Sequence, residues 1–189
     1  MEILAVLLKN QTGSLTNFSN LAQKVRVSLP TIQRWIHVFE SLYFCFTIPP
    51  WSKNIPRSLL KEPKIYLWDW SQVEGKGERF ENFIASHLLK ATHFWTDSGF
   101  GNFGLYFLRT KEKKEVDFLV TKDDKPWLMV EAKSSGADSL SPTLLYFQQQ
   151  LDVPHILQVA MDLPYVEKDC FSLTKPTIVP AKTFLSQLI

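Results

Sequence analysis

Three polar side chains in the segment Glu115–Lys133 could together do chemistry on a phosphate ester. They are Asp117, Glu131 and Lys133. Two carboxylates supply the hard oxygen ligands that Mg²⁺ and Mn²⁺ prefer. A neighbouring lysine can orient or help deprotonate a water and can stabilise charge on a phosphate. An ordinary cross-strand ion pair is the commoner use of Glu-x-Lys on a strand, so the elements around these residues decide between the two interpretations.

The segment that carries these residues is predicted to be a β-hairpin. Side chains alternate between the two faces of a strand, so Asp117 shares a face with Glu115, and Glu131 shares a face with Lys133. The stretch 122–126, with two aspartates and a proline, is typical of a turn. Two residues along a strand span only about 6–7 Å, so the acids and the lysine converge if the strands pair around this turn.

The composition is that of an ordinary globular chain. Its 189 residues, 45% of them hydrophobic and 21% charged, suffice for one full core or two small ones. The net charge of +2 is too small to predict nucleic-acid binding by itself. Cys45 and Cys170 lie far apart without metal-ligand spacing, so reduced thiols are expected. We find no signal peptide or stretch of transmembrane length, and therefore expect a cytoplasmic protein without membrane contact.

Residues 1–70 are predicted to form a winged-helix-like region. Apolar residues at helical spacing indicate three short helices. The tight link Arg26–Ser28 between the second and the third helix is the layout of a helix-turn-helix. Two predicted strands follow, Phe44–Ile48 and Lys64–Trp70.

DNA contacts by this region would depend on few cations. Arg34 is the one firm positive charge on the exposed face of the third helix. Lys24, Arg26, Lys53 and Arg57 are the other cations that could contribute. Phosphate anchoring normally needs several lysines or arginines, so we favour a structural or protein-contacting use over DNA readout.

Residues 78–189 are predicted to form a second domain after the polar segment 71–77. Its first helix, Glu78–Ala91, carries Glu81 at the edge of the apolar stripe. The aromatic and glycine-rich stretch His93–Phe103 is predicted to be a loop. The remaining predicted elements are the strands Leu105–Thr110, Val116–Thr121 and Leu128–Lys133, the helix Pro142–Leu151, the strand His155–Ala160 and the helix Lys182–Leu188.

This order of helix, three strands, helix and strand, with an Asp on the second strand and Glu-x-Lys on the third, resembles the PD-(D/E)XK nuclease superfamily. The resemblance implies an α/β, restriction-endonuclease-like αβββαβ core with a mixed sheet. It implies that the catalytic residues are Glu81, Asp117, Glu131, Lys133 and Gln148. It further implies the Ala132 carbonyl as a metal ligand beside the two acids, with Gln149 an alternative to the glutamine. Val116 stands where the literal signature has proline.

A second resemblance covers nearly the whole chain. The stretches YLWDW, GERFENFIASHLL, EVDFLV and LMVEAKSS are similar to the uncharacterised nuclease-like C-terminal region of bacterial and archaeal AAA-type P-loop ATPases. The 189 residues contain no G-x-x-x-x-G-K-[ST] motif, so they carry no P-loop of their own. The resemblance therefore implies an ATPase domain as a partner.

The sequence thus predicts an α/β protein of two parts whose leading function is Mg²⁺- or Mn²⁺-dependent hydrolysis of phosphodiester bonds in DNA. Asp117, Glu131 and Ala132 are the predicted metal ligands. The alternative is a non-catalytic accessory domain that binds nucleic acid or protein and serves an ATPase. A third alternative is a structural or dimerisation module, which the 13% aromatic content permits.

Overall fold

The computed structural model describes residues 1–52, 62–135 and 139–189. The predicted DNA-contacting cations Lys53 and Arg57 lie outside the described residues. The fold is mixed α/β, as predicted, with N-terminal helices followed by a five-stranded mixed sheet and its helices. The chain forms two compact units, residues 1–86 and 87–189. In the described part of the chain, no helix combines the length and apolarity needed to cross a bilayer.

The first unit begins with three helices whose ends follow from their capping residues. They are α1 Glu2–Asn10, α2 Phe18–Val25 and α3 Leu29–Ser41. Asn17 caps α2, because its side chain accepts the Asn20 N–H at 2.8 Å. Ser28 caps α3 in the same way, accepting the Thr31 N–H at 3.3 Å. Arg26, in the left-handed region at φ 59°, ends α2 and makes the tight link to α3.

Two short antiparallel strands complete this part of the unit. They are β1 Cys45–Ile48 and β2 Lys64–Leu67. The second strand ends earlier than predicted, because Asp69 accepts the Ser71 N–H at 3.2 Å and starts a 3₁₀ turn, Trp70–Gln72. Apolar side chains from α1, α2, α3 and both strands form one core, which includes Leu4, Leu8, Leu21, Ile32, Ile36, Cys45, Ile65 and Leu67.

The helix α4, Lys76–Asp97, is longer than the predicted Glu78–Ala91. The loop predicted from His93 is therefore wrong over its first residues. No glycine or proline occurs between Ala91 and Gly99, and Trp95 packs against Phe103 with ring centroids 5.1 Å apart. Gly99 then adopts φ 79°, and the Phe100 N–H closes the helix end on the Trp95 carbonyl at 2.9 Å.

The second unit is built on a sheet with the strand order β3-β4-β5-β6-β7. The strands and the remaining helices are β3 Phe103–Arg109, β4 Glu115–Lys122, β5 Lys125–Lys133, α5 Pro142–Gln150, β6 His155–Ala160, β7 Thr177–Pro180 and α6 Ala181–Leu185. The pairs β3/β4 and β4/β5 are antiparallel, whereas β5/β6 and β6/β7 are parallel. Strand β5 is thus central. The sequence did not predict β7.

A two-residue turn connects β4 to β5. Asp123 and Asp124 both have positive φ, 50° and 62°, as a type I′ hairpin turn requires. Pro126 lies beside a bulge, where the pairing shifts between Val120–Leu128 and Thr121–Pro126. The turn sets the register as far as Thr121, and the bulge then shifts it by one residue, so the turn and the bulge together decide the face on which each side chain lies.

An aromatic cluster covers one part of the second unit. Its members are Trp95, Phe103, Trp127, His155 and Phe171. Trp127 stacks on Phe171 with ring centroids 5.4 Å apart and an interplanar angle of 10°. The His155 ring meets the edges of both, at 5.3 and 5.6 Å. These rings explain part of the high aromatic content as packing within the chain.

Candidate functional site

The register of the central hairpin places Asp117 opposite Glu131. Phe118 pairs with Val130 across β4 and β5. The residues adjacent to this pair, Asp117 and Glu131, therefore share the opposite face of the sheet. The Asp117 Oδ2 accepts the Ala132 N–H at 2.8 Å. The acids therefore share a face, as the predicted hairpin requires. The Ala132 backbone is brought to Asp117 through its N–H, and the role of its carbonyl as a metal ligand stays a prediction.

Glu131 is a buried carboxylate with one paired and one unpaired oxygen. The residue is 6% exposed. Its Oε1 accepts a hydrogen bond from Lys133 Nζ at 2.8 Å, and the lysine side chain is 40% exposed. Its Oε2 is buried and has no hydrogen-bond partner among the residues that the structure describes. A buried polar atom left unpaired costs about 1–3 kcal/mol, and more when the group is charged, so this oxygen favours a cation.

The donor set fits a hard divalent cation. Two carboxylates on facing strands are oxygen ligands of the kind that Mg²⁺ takes, usually together with several waters. The described residues include no group of three or more His, Cys, Asp or Glu side chains that could hold a metal ion. A cation at this position would therefore have two carboxylates, Asp117 and Glu131, as its side-chain ligands, with its other positions open to water.

Gln158 is a site neighbour that the sequence reasoning missed. It pairs with Glu131 across the parallel strands β5 and β6 and is 1% exposed. Its Oε1 accepts the Ser141 N–H at 2.7 Å, and its Nε2 donates to the Ser139 carbonyl at 2.9 Å. Gln158 thus fastens the start of α5 beside the acid-bearing strand. The available signal was one polar residue, Gln158, between the apolar residues of the stretch ILQVA.

Two family models match the chain. A model described as Domain of unknown function (DUF4143) matches residues 76–175, which is more than half of the chain. The chain belongs to the DUF4143 family. A model described as Domain of unknown function (DUF8612) matches residues 1–73. No curated protein and no solved structure matches the chain.

The DUF4143 match contains all five predicted catalytic residues, and Glu81 is the one that lies in the first unit. Its Oε1 accepts hydrogen bonds from Lys64 Nζ at 3.1 Å and from the Tyr66 hydroxyl at 2.7 Å. Lys64 is 2% exposed, so Glu81 neutralises a buried lysine. These contacts explain the acid structurally, and its predicted reach to a metal stays a prediction.

The predicted catalytic glutamine lies on the solvent side of the DUF4143 helix α5. Gln148 and Gln149 are exposed, whereas Leu144 and Phe147 are buried. Leu145, predicted in the buried stripe, is 39% exposed. The helix therefore packs through two side chains, which leaves the glutamine amides open to a ligand.

The predicted DNA-contacting cations of the first unit are exposed. Lys24, Arg26 and Arg34 all face solvent. Arg34 lines a groove of about 960 Å³ whose walls also carry Glu40 and Glu62. These acids offset its charge, which weakens the attraction for phosphates.

Burial shifts the pKa of three groups that do not belong to the acid pair. It lowers the pKa of His155, while Asp169 acts in the opposite direction. Burial, with a smaller contribution from Glu40, raises the pKa of the Cys45 thiol to about 12. Burial also raises the pKa of Cys170. Both cysteines are free and buried, which agrees with the predicted reduced thiols and makes them poor nucleophiles.

Proposed function

We propose that the DUF4143 region is a Mg²⁺- or Mn²⁺-dependent nuclease that hydrolyses phosphodiester bonds in DNA. The observation that carries the proposal is the buried, unpaired Oε2 of Glu131, on the strand face that Asp117 shares. A carboxylate oxygen buried without a donor is strongly stabilised by a nearby cation. Lys133, bonded to the other oxygen of Glu131, adds a group suited to positioning water at a phosphate.

Asp117 and Glu131 would hold the metal, with the Ala132 carbonyl as a further ligand by the resemblance to PD-(D/E)XK nucleases. When bound, the metal would supply Lewis-acid activation and neutralise charge on the phosphate. The chain prepares this set in advance, because the Ala132 N–H fixes the Asp117 carboxylate at 2.8 Å. A ligand that is already held loses less conformational freedom on binding.

Lys133 would orient the attacking water and stabilise the charge that develops on the phosphate. Its Nζ lies 2.8 Å from Glu131 Oε1, and its side chain is 40% exposed. The ammonium therefore lies at the solvent side of the acid pair. A lysine has three rotatable donors on a flexible stem, so it can bond the carboxylate and a phosphate oxygen together.

Calorimetric titration with Mn²⁺, combined with DNA cleavage in Mg²⁺ and in Mn²⁺, tests the proposal. The substrates are supercoiled plasmid, branched DNA and single-stranded DNA. We expect Asp117→Ala to lose both metal binding and cleavage. Lys133→Met should keep metal binding and lose about a hundredfold or more in rate, because it removes positioning and leaves the ligands.

Asp152→Ala is the matched control, because it removes an exposed carboxylate of the same unit and should leave both activities unchanged. Equal cleavage by the wild type and Asp117→Ala would reveal a contaminating nuclease. Absence of both metal binding and cleavage in the wild type would contradict the proposal.

The second candidate is a non-catalytic accessory domain that binds nucleic acid or protein and serves a P-loop ATPase. The ion pair between Glu131 and Lys133 favours it, because a lysine that neutralises the acid lets the pair exist without a metal. A wild type that binds DNA or an ATPase domain but no Mn²⁺ would support this candidate. Homo-oligomerisation would be measured in the same preparation by light scattering.

The same proposal assigns a winged-helix-like region to residues 1–70 and a restriction-endonuclease-like domain to residues 78–189. The succession of three helices and two antiparallel strands supports the first assignment. The order α4-β3-β4-β5-α5-β6 supports the second. DNA is then the main partner, and the cytoplasm is the proposed location.

A further inference from the structure

The turn between β3 and β4 presents three exposed lysines at one end of the strands. They are Lys111, Lys113 and Lys114. Strand β4 begins at Glu115, directly after the turn and two residues before Asp117. Strand β5 runs antiparallel to β4 and ends at Lys133, two residues after Glu131. The lysine turn and the acid pair therefore lie at the same end of the strands.

The backbone of this turn is held by hydrogen bonds. The Thr110 N–H donates to the Lys114 carbonyl at 2.9 Å, and the Lys113 N–H donates to the Thr110 carbonyl at 3.2 Å. The Lys114 N–H also donates to Thr110 Oγ1 at 3.3 Å. Lys114 Nζ lies 3.8 Å from the ring centroid of Tyr146, which joins the turn to α5. The lysines are thus presented from an ordered backbone.

The turn keeps a net positive charge. Between Thr110 and Glu115 the chain has three lysines and one acid, Glu112, which leaves a charge of +2. Arg109 and Glu115, on either side, form an ion pair with each other and contribute no net charge. A fixed, exposed positive charge beside a phosphate-processing site fits a polyanion.

We propose that Lys111, Lys113 and Lys114 bind the phosphate backbone of the DNA strand whose phosphodiester enters the acid pair. The assignment rests on the proposed nuclease function. Three residues along a strand separate Lys114 from Asp117, which is about 10 Å. One DNA strand rises about 3.4 Å per nucleotide, so Lys114 contacts a phosphate about three nucleotides from the bond that is hydrolysed, and Lys111 and Lys113 contact phosphates farther along the strand.

The double variant Lys111→Gln/Lys113→Gln tests the assignment. Its affinity for a fluorescent DNA duplex is measured by anisotropy at several salt concentrations, in EDTA so that no cleavage occurs. Loss of two phosphate contacts should reduce the slope of log K against log salt by about 1.8, or 0.9 per contact. Mn²⁺ binding by the variant should match that of the wild type, because the acid pair is intact.

The matched control is Lys125→Gln/Lys175→Gln, which removes the same charge from the opposite end of the strands. Lys125 begins β5, and Lys175 lies two residues before β7. Both are exposed. We expect this control to keep the wild-type slope, because its lysines lie away from the acid pair.

An unchanged slope in the turn variant, or an equal loss in the control, would overturn the assignment even if the protein cleaves DNA. A reduced slope restricted to the turn variant would support it. If that result came with no Mn²⁺ binding and no cleavage by the wild type, the DNA surface would stand and the nuclease function would fail. The two proposals are therefore separable.

Discussion

Replacing Glu131 with methionine should stabilise the protein in the absence of metal. The side chain is buried, and its Oε2 has no hydrogen-bond partner in the described part of the chain. Methionine has a similar length without polar oxygens. Removing an unpaired buried polar atom gains about 1–3 kcal/mol in the free energy of unfolding. The lost ion pair with the half-exposed Lys133 costs up to about 1 kcal/mol. Taking the middle of the first range, about 2 kcal/mol, the net expectation is a gain of about 1–2 kcal/mol in EDTA.

Metal should reverse this order. A ligand at a hundred times its dissociation constant stabilises the folded state by about 2.7 kcal/mol, so saturating Mn²⁺ should make the wild type the more stable protein. The variant lacks one of the two carboxylates and should respond weakly. We therefore expect Glu131 to lower the stability of the metal-free protein and to contribute to metal binding.

Urea denaturation with EDTA and with Mn²⁺ measures both effects. Glu115→Met is the control on the same hairpin, because Glu115 is already ion-paired with Arg109. We expect this control to lower the free energy of unfolding by about 1–3 kcal/mol, because the ion pair is part-buried, and to keep the wild-type Mn²⁺ response. If Glu131→Met were less stable than the wild type in EDTA by about 1 kcal/mol or more, Oε2 would have a stabilising partner, and the reasoning would be refuted.

Two further predictions concern stability. Burial lowers the pKa of His155 in the folded state below its ordinary value of 6.5, so below pH 6.5 the unfolded chain binds more protons than the folded chain. The free energy of unfolding should therefore fall as pH drops below 6.5. It should fall less steeply in His155→Phe. A wild-type slope in that variant, measured by urea denaturation across this range, would contradict the assignment. Asp124→Gly should raise the free energy of unfolding by about 0.5–1 kcal/mol, because glycine suits the positive φ at the second turn position, whereas the control Asp152→Gly at an exposed loop position should not.

The central hairpin could be predicted from the sequence because its determinants are local. Alternating apolar and polar residues set the faces of both strands, and two aspartates followed by Lys125 and Pro126 mark the turn. The pairing of Phe118 with Val130, which puts the two acids on one face, depends on the one-residue bulge beside Thr121 as well as on the turn. The caps that start α2 and α3, Asn17 and Ser28, are likewise local features of the sequence.

Features that depend on distant residues could not be predicted. The bonds of Glu81 to Lys64 and Tyr66 join residues that are 17 and 15 positions apart in the chain. Gln158 gains its meaning only when β6 pairs with β5. The extension of α4 to Asp97 is stabilised by aromatic packing, which outweighs the loop-like composition around it.

The arrangement of the hairpin has an evolutionary consequence. Both acids are encoded in one continuous segment, Glu115–Lys133, and the type I′ turn lies at the end of the hairpin away from them. The buried residues Phe118 and Val130 point to the other face of the sheet. A lineage can therefore lose either acid by a single substitution while these core contacts remain. Members of one family can then share this fold and differ in chemistry, and the residues at these two positions would distinguish them.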